Sequence, residues 1–224
     1  MISFVVPAHN YGYLITKCIS SILKNEKKFI KEIIIINDSS NDDTDLIIKK
    51  LKKKIKKIKY YKKKFKNLSK SMNFGISKTS GNFICKIDAD DTISPLFAKK
   101  TYEYLLKSKS DFIYPNLIIN DNIMNLKYIK KQKPNFFIKN LFYPCGSGCL
   151  YKKDVWKKVG GYNQKIFYQD DYDFWLKVKK LKGIKINHLD KALYIYNKHS
   201  NNMSKNILKK NLTKIKIFIQ HILN

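Results

Sequence analysis

Hydrophobic residues in the first hundred positions come in short blocks separated by polar turns, and the blocks predict strands and helices in alternation. Three continuous apolar runs are typical of buried parallel strands: ISFVVPAHN, KEIIIINDSS and NFICKI. Between these runs, apolar residues recur at helical spacing, as at Leu14, Cys18, Ile19, Ile22 and Leu23. This order predicts an α/β fold in which a mostly parallel sheet with right-handed crossovers is flanked by helices.

The other predicted elements follow from the same patterns. DTDLIIKKLKKKIKKI predicts a lysine-rich helix, KYYKKKF a strand, and LSKSMNFGISKTSG a helix closed by Gly81. Beyond residue 95 the pattern is less regular: PLFAKKTYEYLLKS, KKDVWKKVGGY and QDDYDFWLKVKKL predict helices, and DFIYPNLIIN predicts a strand. Residues 120–144 have little periodicity, and we expect a mobile loop over a site there.

The last twenty residues predict an amphipathic helix. One helical stripe carries Leu208, Leu212, Ile215, Ile219 and Ile222, and the lysines lie off it. We expect the stripe to pack on the rest of the domain. The alternative is a basic amphipathic helix that lies on anionic lipid.

Length and hydropathy place the chain in one folded domain. Its 224 residues, 44% of them hydrophobic, suffice for a proper core. We expect a single domain over 1–224, with a first half at 1–95, a second half at 96–204 and the terminal helix at 205–224. No apolar run approaches the roughly 20 residues of a membrane span, and MISFVVPAHN lacks the basic start of a secretory leader. The expected location is cytoplasmic, with at most a peripheral contact at the inner face of the cytoplasmic membrane.

The charge balance is strongly basic, with 46 basic and 17 acidic residues and a formal charge of +29. Every basic residue is lysine, whereas nucleic-acid readers favour the bidentate contacts of arginine, so we expect no nucleic-acid partner. Lysine, isoleucine and asparagine share A/T-rich codons. A biased genome is therefore the favoured cause of the charge, and selection for anionic partners is the alternative.

The cysteine pattern excludes a zinc framework. Of Cys18, Cys85, Cys145 and Cys149, only the last two are close in sequence, and no second pair completes a site. We expect buried, reduced thiols.

Three of the scarce carboxylates are gathered directly after the strand NFICKI. Asp88, Asp90 and Asp91 repel one another unless a cation or a shared proton offsets their charge. Open α/β sheets bind their ligands at the carboxyl ends of strands, which is where this cluster falls. The sequence therefore predicts a ligand site here, in which a bound cation or a shared proton offsets the repulsion. Similar polar groups follow in PAHN, NDSSNDDT, QDDYDFW and YNKHSNNMS, each a weak signal alone.

Taken together, in order and spacing, these motifs make the chain resemble the family 2 glycosyltransferases, which have the Rossmann-like GT-A fold and use nucleotide sugars. The family's P-x-Y-N and D-D-G-S-T-D-D-T elements are matched by PAHN and NDSSNDDT. Its A-R-N-x-G-I and D-A-D-D elements are matched by SMNFGI and DADD. V-G-G-Y, E-D-x-D-x-W and Y-R-x-H-x-x-x-M-S are matched by VGGY, DDYDFW and YNKHSNNMS. The resemblance covers nearly the whole chain.

The resemblance implies a donor site in the first half, for a nucleotide-diphosphate sugar that we expect to be UDP-linked. It makes Asp90 the direct ligand of Mn²⁺ or Mg²⁺, with Asp91 as the competing assignment and His199 close to metal and diphosphate. A structural role for that histidine is the alternative. The remaining implied donor-binding residues are Asp88 near the ribose, Asp38 on the base, and Pro7, Asn10 and Lys70.

The resemblance also implies an acceptor site in the second half. Asp171 matches the general base that withdraws the proton of the attacking hydroxyl. Asp170 would orient the acceptor, and Gly146 and Trp175 would line its site. The alternatives are helix-terminal carboxylates favoured by the dipole and, for the tryptophan, core packing. Attack opposite the leaving diphosphate would invert the anomeric centre.

Two departures from the family pattern leave a second hypothesis open. Met72 and Asn197 stand where the family has arginines expected near the diphosphate, and Lys70 is the candidate to compensate. The leading hypothesis is a metal-dependent transferase that builds a surface glycan on a glycan or lipid-linked acceptor. The alternative is a degenerate GT-A domain that binds without turnover. A nucleotidyltransferase is disfavoured because its glycine-rich, arginine-containing N-terminal loop is missing.

Overall fold

One mixed sheet organises the part of the chain that the computed structural model describes: residues 1–132, 144, 146–200, 202 and 207–223, with 207, 208 and 210 described by their backbone alone. Its strands are β1 (Ile2–Ala8), β2 (Ile30–Asp38), β3 (Ile58–Lys63), β4 (Phe83–Lys86), β5 (Thr92–Ile93), β6 (Phe112–Asp121), β7 (Leu126–Lys130), β8 (Leu150–Lys152) and β9 (Ile186–Lys198). The α-helices are α1 (Gly12–Leu23), α2 (Thr44–Lys54), α3 (Leu68–Ser77), α4 (Phe97–Lys107), α5 (Lys153–Lys158), α6 (Asp170–Lys180) and α7 (Ile207–Leu223).

The order of the strands divides the sheet into a parallel half and a mixed half. β3, β2, β1 and β4 are neighbours in that order, and all three pairs are parallel. β8 then joins β4 to β6 through antiparallel pairs, and β9 runs parallel to β6. The α/β class and the parallel first half are therefore confirmed, and the antiparallel pairs enter only with the second half.

Alternation along β2 explains how its continuous isoleucine run is used. Ile33 and Ile35 join the core formed with α1, α2 and α4. Ile34 and Ile36 point to the opposite face, into the core formed with α3, α5, α6 and α7. Successive side chains of a strand point to opposite faces, so a strand covered on both sides is apolar throughout.

Two predictions about secondary structure are wrong, one about the end of a helix and one about a loop. The helix expected to close at Gly81 ends at Ser77, where Lys78 in a right-handed conformation forms the cap. Within the predicted loop over 120–144, residues 126–130 form β7 as an antiparallel partner of β6. All side chains of β7 are exposed, so its sequence carries no alternation that could have indicated a strand. The part of that loop at 133–143 lies outside the described residues.

The terminal helix forms, but the expected packing of its stripe is wrong. Leu212, Ile215, Ile219 and Ile222 point to solvent, and Ile217 is the buried residue. The side chain of Leu208 lies outside the described residues. No helix in the described ranges is long and apolar enough to cross a bilayer.

The expected buried thiols are confirmed at three cysteines. Cys18, Cys85 and Cys149 are buried, and none of the three is in a disulfide within the described residues. Cys145 lies outside the part of the chain that the structure describes.

A buried glutamate connects several segments at the edge of the sheet opposite the aspartate cluster. Glu32 on β2 accepts hydrogen bonds from Ser3 Oγ at 2.8 Å and from the Ser80 backbone N–H at 2.6 Å. Lys59 Nζ lies 2.6 Å from its second oxygen. Burial raises the pKa of this carboxyl, but Lys59 and the hydrogen bonds of Ser80 and Ser3 outweigh burial and lower the pKa to about 2.

We predict that Glu32→Gln destabilises the fold at neutral pH by about 1–3 kcal/mol, since each unit of pKa difference corresponds to about 1.4 kcal/mol. The folded pKa lies below the ordinary value, so the carboxylate stabilises above about pH 4.3, and this stabilisation is lost as the pH falls towards 2. Urea unfolding between pH 7 and pH 3 should show the two proteins converging at low pH.

Glu26→Gln is the matched control. Its carboxylate is exposed and forms surface pairs with Lys28 and Lys99, which are worth little. A constant stability difference between wild type and Glu32→Gln at all pH values would show that the ionised carboxylate is not the stabilising form.

Candidate active site

The polar motifs of the first half meet at one edge of the sheet. The adjacent strands β1, β2 and β4 are parallel, so their carboxyl ends lie side by side. Asp88, Asp90 and Asp91 occupy the turn after β4, as predicted from the sequence. The edge therefore concentrates carboxylates where an open α/β sheet binds its ligands.

Asp90 is a nearly buried carboxylate that reaches the late histidine. His199 Nε2 and Asn202 Nδ2 each lie 3.1 Å from the same carboxylate oxygen, Oδ2. Burial and the charge of Asp88 raise the pKa of Asp90, against the opposing effect of His199. The structure thus brings together two predicted metal-site residues that are 109 positions apart in sequence.

Asp91 is turned into the protein. Its side chain is 1% exposed, and its two oxygens accept hydrogen bonds from Tyr194 Oη at 2.5 Å and from the Asn197 backbone N–H at 2.8 Å. Burial, with the charges of Asp90 and Asp88, raises the pKa of this carboxyl well above its ordinary value. Asp91 therefore braces the cluster from inside, which favours Asp90 over Asp91 as a ligand.

Asp88 is the most accessible member of the cluster, with a side chain 33% exposed. Ser147 Oγ donates to its Oδ2 at 2.5 Å, and Lys86 Nζ lies 3.3 Å from its Oδ1. The second half of the chain therefore supplies a hydrogen-bond partner to this carboxylate of the first half.

A divalent cation fits the side chains of this cluster. Among the described residues, no group of three or more histidine, cysteine or acidic side chains is arranged to enclose an ion. Mg²⁺ commonly takes only one or two protein carboxylates and completes its shell with water and substrate phosphates. Asp90 and His199, with Asp88 beside them, provide such a partial set, and Mn²⁺ accepts the same carboxylate and imidazole ligands.

The two positions where the family has arginine behave differently from each other. Asn197 donates from its side chain to the Asp90 carbonyl oxygen at 2.9 Å and from its backbone to Asp91. Met72 is fully buried in the core beneath α3. Lys70, the candidate to compensate, lies in the first turn of α3 with an exposed side chain.

Asp38 clamps the loop between β3 and α3. Its carboxylate accepts hydrogen bonds from five groups: the backbone N–H of Phe65, Lys66 and Asn67 and the hydroxyls of Ser39 and Ser71. Burial raises its pKa, but the backbone N–H groups outweigh burial and lower the pKa below its ordinary value. The predicted contact of Asp38 with the nucleotide base of the donor stays a prediction. Its hydrogen bonds to the loop between β3 and α3 are a structural role that sequence reasoning missed.

Pro7 and Asn10 lie beside the end of β2 and the residues that follow it. Pro7 is buried on β1 opposite Ile36 of β2. Asn10 has a left-handed backbone with φ of 58°, and its side-chain oxygen accepts from the Asn41 N–H at 2.9 Å. The PAHN and NDSSNDDT motifs are therefore adjacent in space.

The candidate base lies at the start of α6. Asp171 accepts hydrogen bonds from the backbone N–H groups of Tyr172, at 2.9 Å, and Gly146, at 3.3 Å. A Cβ atom built on Gly146 would lie 2.2 Å from Asp171 Cβ, so only glycine fits at this position. The two residues line one pocket together with Pro144 and Trp175.

Trp175 is mainly a core residue. It is 6% exposed, and its ring packs on Phe112 and Tyr114 with centroid distances of 5.7 and 5.8 Å. The packing alternative is therefore favoured for the tryptophan, although it also lines the pocket beside Asp171.

Asp170 is a buried carboxyl with one unsatisfied oxygen. Its Oδ2 has no hydrogen-bond partner in the described ranges. Burial raises the pKa of Asp170 to about 6, with Lys86 opposing the rise and Asp171 adding to it. An unpaired buried acceptor is costly, so this oxygen is suited to receive a hydrogen bond from a ligand.

Sequence reasoning missed Lys86, which lies between the two halves of the site. Its ammonium group is buried, pairs with Asp88 and acts electrostatically on Asp170. A lysine two positions before Asp88 shares that residue's face of an extended chain, and this was the available signal. Ser147, Tyr194 and Asn202 were also missed, because only the fold brings them to the aspartates.

Known proteins resemble this chain in sequence. A sequence profile described as Glycosyl transferase family 2 matches residues 3–160, more than half of the chain. The O-antigen biosynthesis glycosyltransferase WbnJ of Escherichia coli is 29% identical over 216 residues, covering 93% of this chain and 84% of WbnJ. WfgD of the same organism, named UDP-Glc:alpha-D-GlcNAc-diphosphoundecaprenol beta-1,3-glucosyltransferase, is 27% identical and covers 82% of this chain and 72% of its own.

Solved structures share the fold. TarS 1–349 of S. aureus in complex with UDP-GlcNAc superimposes with a TM-score of 0.80 at 20% identity, covering 100% of this chain and 66% of TarS. The chain thus spans just under two thirds of that structure. The mixed sheet and its flanking helices match the GT-A architecture. With the profile match over its first 160 residues, the chain belongs to glycosyl transferase family 2.

Proposed function

We propose that this chain transfers a sugar from a UDP-linked donor to a hydroxyl group of a glycan or lipid-linked acceptor, with inversion. The observation that carries the proposal is that two adjacent residues, Gly146 and Ser147, contact carboxylates on both sides of the site. Ser147 donates to Asp88 on the donor side, and the Gly146 N–H donates to Asp171 on the acceptor side. Donor-side and acceptor-side carboxylates therefore lie close enough for one reaction centre.

Two relatives support the choice of donor and acceptor class. The name of WfgD specifies a UDP-sugar and a diphosphoundecaprenol acceptor, and TarS is solved with UDP-GlcNAc. WbnJ is named for O-antigen biosynthesis. We infer a role in building a cell-surface polysaccharide, in which the acceptor is a sugar hydroxyl.

The donor half binds and orients the diphosphate. Asp90 and His199 would hold Mn²⁺ or Mg²⁺, which when bound offsets the charge that develops on the leaving diphosphate. Asp91, Tyr194 and Asn197 keep Asp90 in place through the hydrogen bonds described above. Lys70, exposed in the first turn of α3, would supply a flexible positive charge.

The acceptor half moves the proton. Asp171 accepts it from the attacking hydroxyl as general base, and two backbone N–H groups hold the carboxylate in one orientation. Asp170 orients the acceptor through its unsatisfied oxygen. Attack guided by Asp171 on the face opposite the diphosphate gives inversion.

A binding domain without turnover is the second candidate, motivated by Met72 in place of an arginine. The burial of Met72 leaves this position unable to contact a diphosphate. The intact pairing of Asp90 with His199 and the oriented Asp171 favour the enzyme.

We predict that UDP binding requires Mn²⁺ or Mg²⁺ and that Asp90→Asn abolishes this metal dependence, because the remaining carboxylates are tied to protein donors. Calorimetric titration of UDP with Mn²⁺ and with EDTA measures both effects. Asp154→Asn, the same charge change at an exposed position of α5, is the control and should bind like wild type. Equal affinity of wild type with and without metal would overturn the metal assignment.

We predict that Asp171→Asn keeps the fold and UDP affinity but lowers kcat by about 10²–10⁴-fold, since an amide cannot accept the proton. A helix-terminal charge alone would change stability by only about 0.3–1 kcal/mol. Asp170→Asn should reduce transfer less and mainly raise KM for the acceptor. Transfer rates, UDP affinity and melting temperatures separate these effects, and near-normal turnover in folded Asp171→Asn would place the base elsewhere.

We predict that Lys86→Met moves the acid limb of the transfer-rate profile to higher pH. The pKa of Asp170 lies at about 6 with Lys86 in place, and the lysine opposes the rise caused by burial. Removing the lysine therefore raises this pKa further, so the acceptor-orienting carboxyl becomes protonated at a higher pH. Lys86→Arg should restore most of the profile. Adding Asp170→Asn should remove the shift, and a shift that persists in the double variant would assign the limb to another group.

A further inference from the structure

Helix α7 presents an apolar stripe to solvent. Five large side chains on this face are between 48% and 78% exposed: Leu212, Ile215, Ile219, Ile222 and Leu223. Contiguous exposed apolar side chains on a folded protein mark surfaces that contact something else. The stripe lies outside the proposed active site and takes no part in its chemistry.

The opposite face of α7 holds the helix on the body of the protein. Ile217 is buried in the core formed with α6. His221 Nε2 lies 3.0 Å from Asp173 Oδ1, and Lys180 Nζ donates to the His221 carbonyl oxygen at 2.6 Å. Lys214 Nζ lies 5.2 Å from the centre of the Tyr172 ring. The helix is therefore anchored by one face while the apolar stripe points outward.

We propose that this stripe docks on an anionic lipid surface. α7 carries four lysines and no carboxylate, and the exposed Lys209 and Lys216 lie along one edge of the stripe. An apolar stripe bordered by lysines lets a helix bury its apolar side chains at the headgroup boundary while the lysines meet anionic headgroups.

The positive charge of the chain argues against a second copy of the chain as the partner that covers the apolar stripe. A symmetric contact through the stripe would bring together two lysine-bordered helices from chains that each carry a formal charge of +29. A spanning role is excluded by the helix itself, because its 17 residues include four lysines. An anionic surface offsets the lysine charge and covers the apolar side chains at once.

Docking through α7 orients the acceptor side of the site. Tyr172 and Asp173, which contact α7, follow directly after Asp170 and Asp171 in the first turns of α6. A bilayer on the stripe would place that end of α6 near the headgroups, where the sugar of a lipid-linked acceptor lies. This orientation rests on the proposed function, whereas the docking itself does not.

Vesicle flotation of the full chain tests the proposal without any assay of sugar transfer. Vesicles of phosphatidylcholine with about 30% phosphatidylglycerol should bind wild type, and neutral vesicles should bind it at least tenfold more weakly. Ile215→Asn/Ile219→Asn should lower partitioning at least tenfold. Leu46→Asn/Leu106→Asn changes two side chains of matched exposure on α2 and α4 and should leave partitioning unchanged.

A charge series keeps the test independent of the apolar side chains. Lys209→Gln/Lys216→Gln should weaken binding about fivefold per lysine, which corresponds to ~1 kcal/mol each, and the loss should shrink in 0.5 M salt. Lys50→Gln/Lys53→Gln, on exposed positions of α2, is the matched control. Melting temperatures verify that all variants fold.

Three results would overturn the proposal. The first is no binding of wild type to anionic vesicles, or equal binding to neutral ones. The second is unchanged partitioning of the stripe variants. The third is a dimer in analytical ultracentrifugation that Ile215→Asn/Ile219→Asn dissociates, which would assign the stripe to a second copy. None of these results bears on whether the chain transfers sugars.

Discussion

Mutual repulsion among three aspartates at the end of β4 is the constraint on which the rest of the site depends. Placed together in a nearly buried turn, Asp88, Asp90 and Asp91 would repel strongly. The protein offsets this with partners drawn from distant parts of the chain: a buried lysine from β4, a tyrosine and an asparagine from β9, and Ser147. A cation at Asp90 would add the remaining positive charge. The second half of the fold is therefore needed to keep the first half's carboxylates in position.

Much of the fold could be read from the sequence because buried parallel strands and amphipathic helices leave strong periodic signals. The isoleucine run of β2 and the spacing of α1 are examples. These periodic signals are absent where the side chains of an element are not buried. β7 is exposed along its whole length, so no alternation marks it. For α7 the periodicity was correct, but periodicity shows only that one face is apolar and not which way that face points.

The site was predicted in outline and missed in detail for a related reason. Motif order located the carboxylates and the late histidine, because these belong to recognisable local patterns. Whether Asp90 or Asp91 faces outward depends on Tyr194 and Asn197, more than a hundred positions away. Ser147 and Gly146 follow a stretch without periodicity, so their contacts with Asp88 and Asp171 could come only from the folded chain.

If the chain works as proposed, the contacts of Gly146 and Ser147 connect the residues that serve its two substrates. The Gly146 N–H that donates to Asp171 and the Ser147 hydroxyl that donates to Asp88 belong to adjacent residues, so one short piece of backbone makes both contacts. A donor that shifts Asp88 would therefore also shift the hydrogen bond that aligns the base. Under the proposed function, occupancy of the donor site would then affect how well the base is aligned.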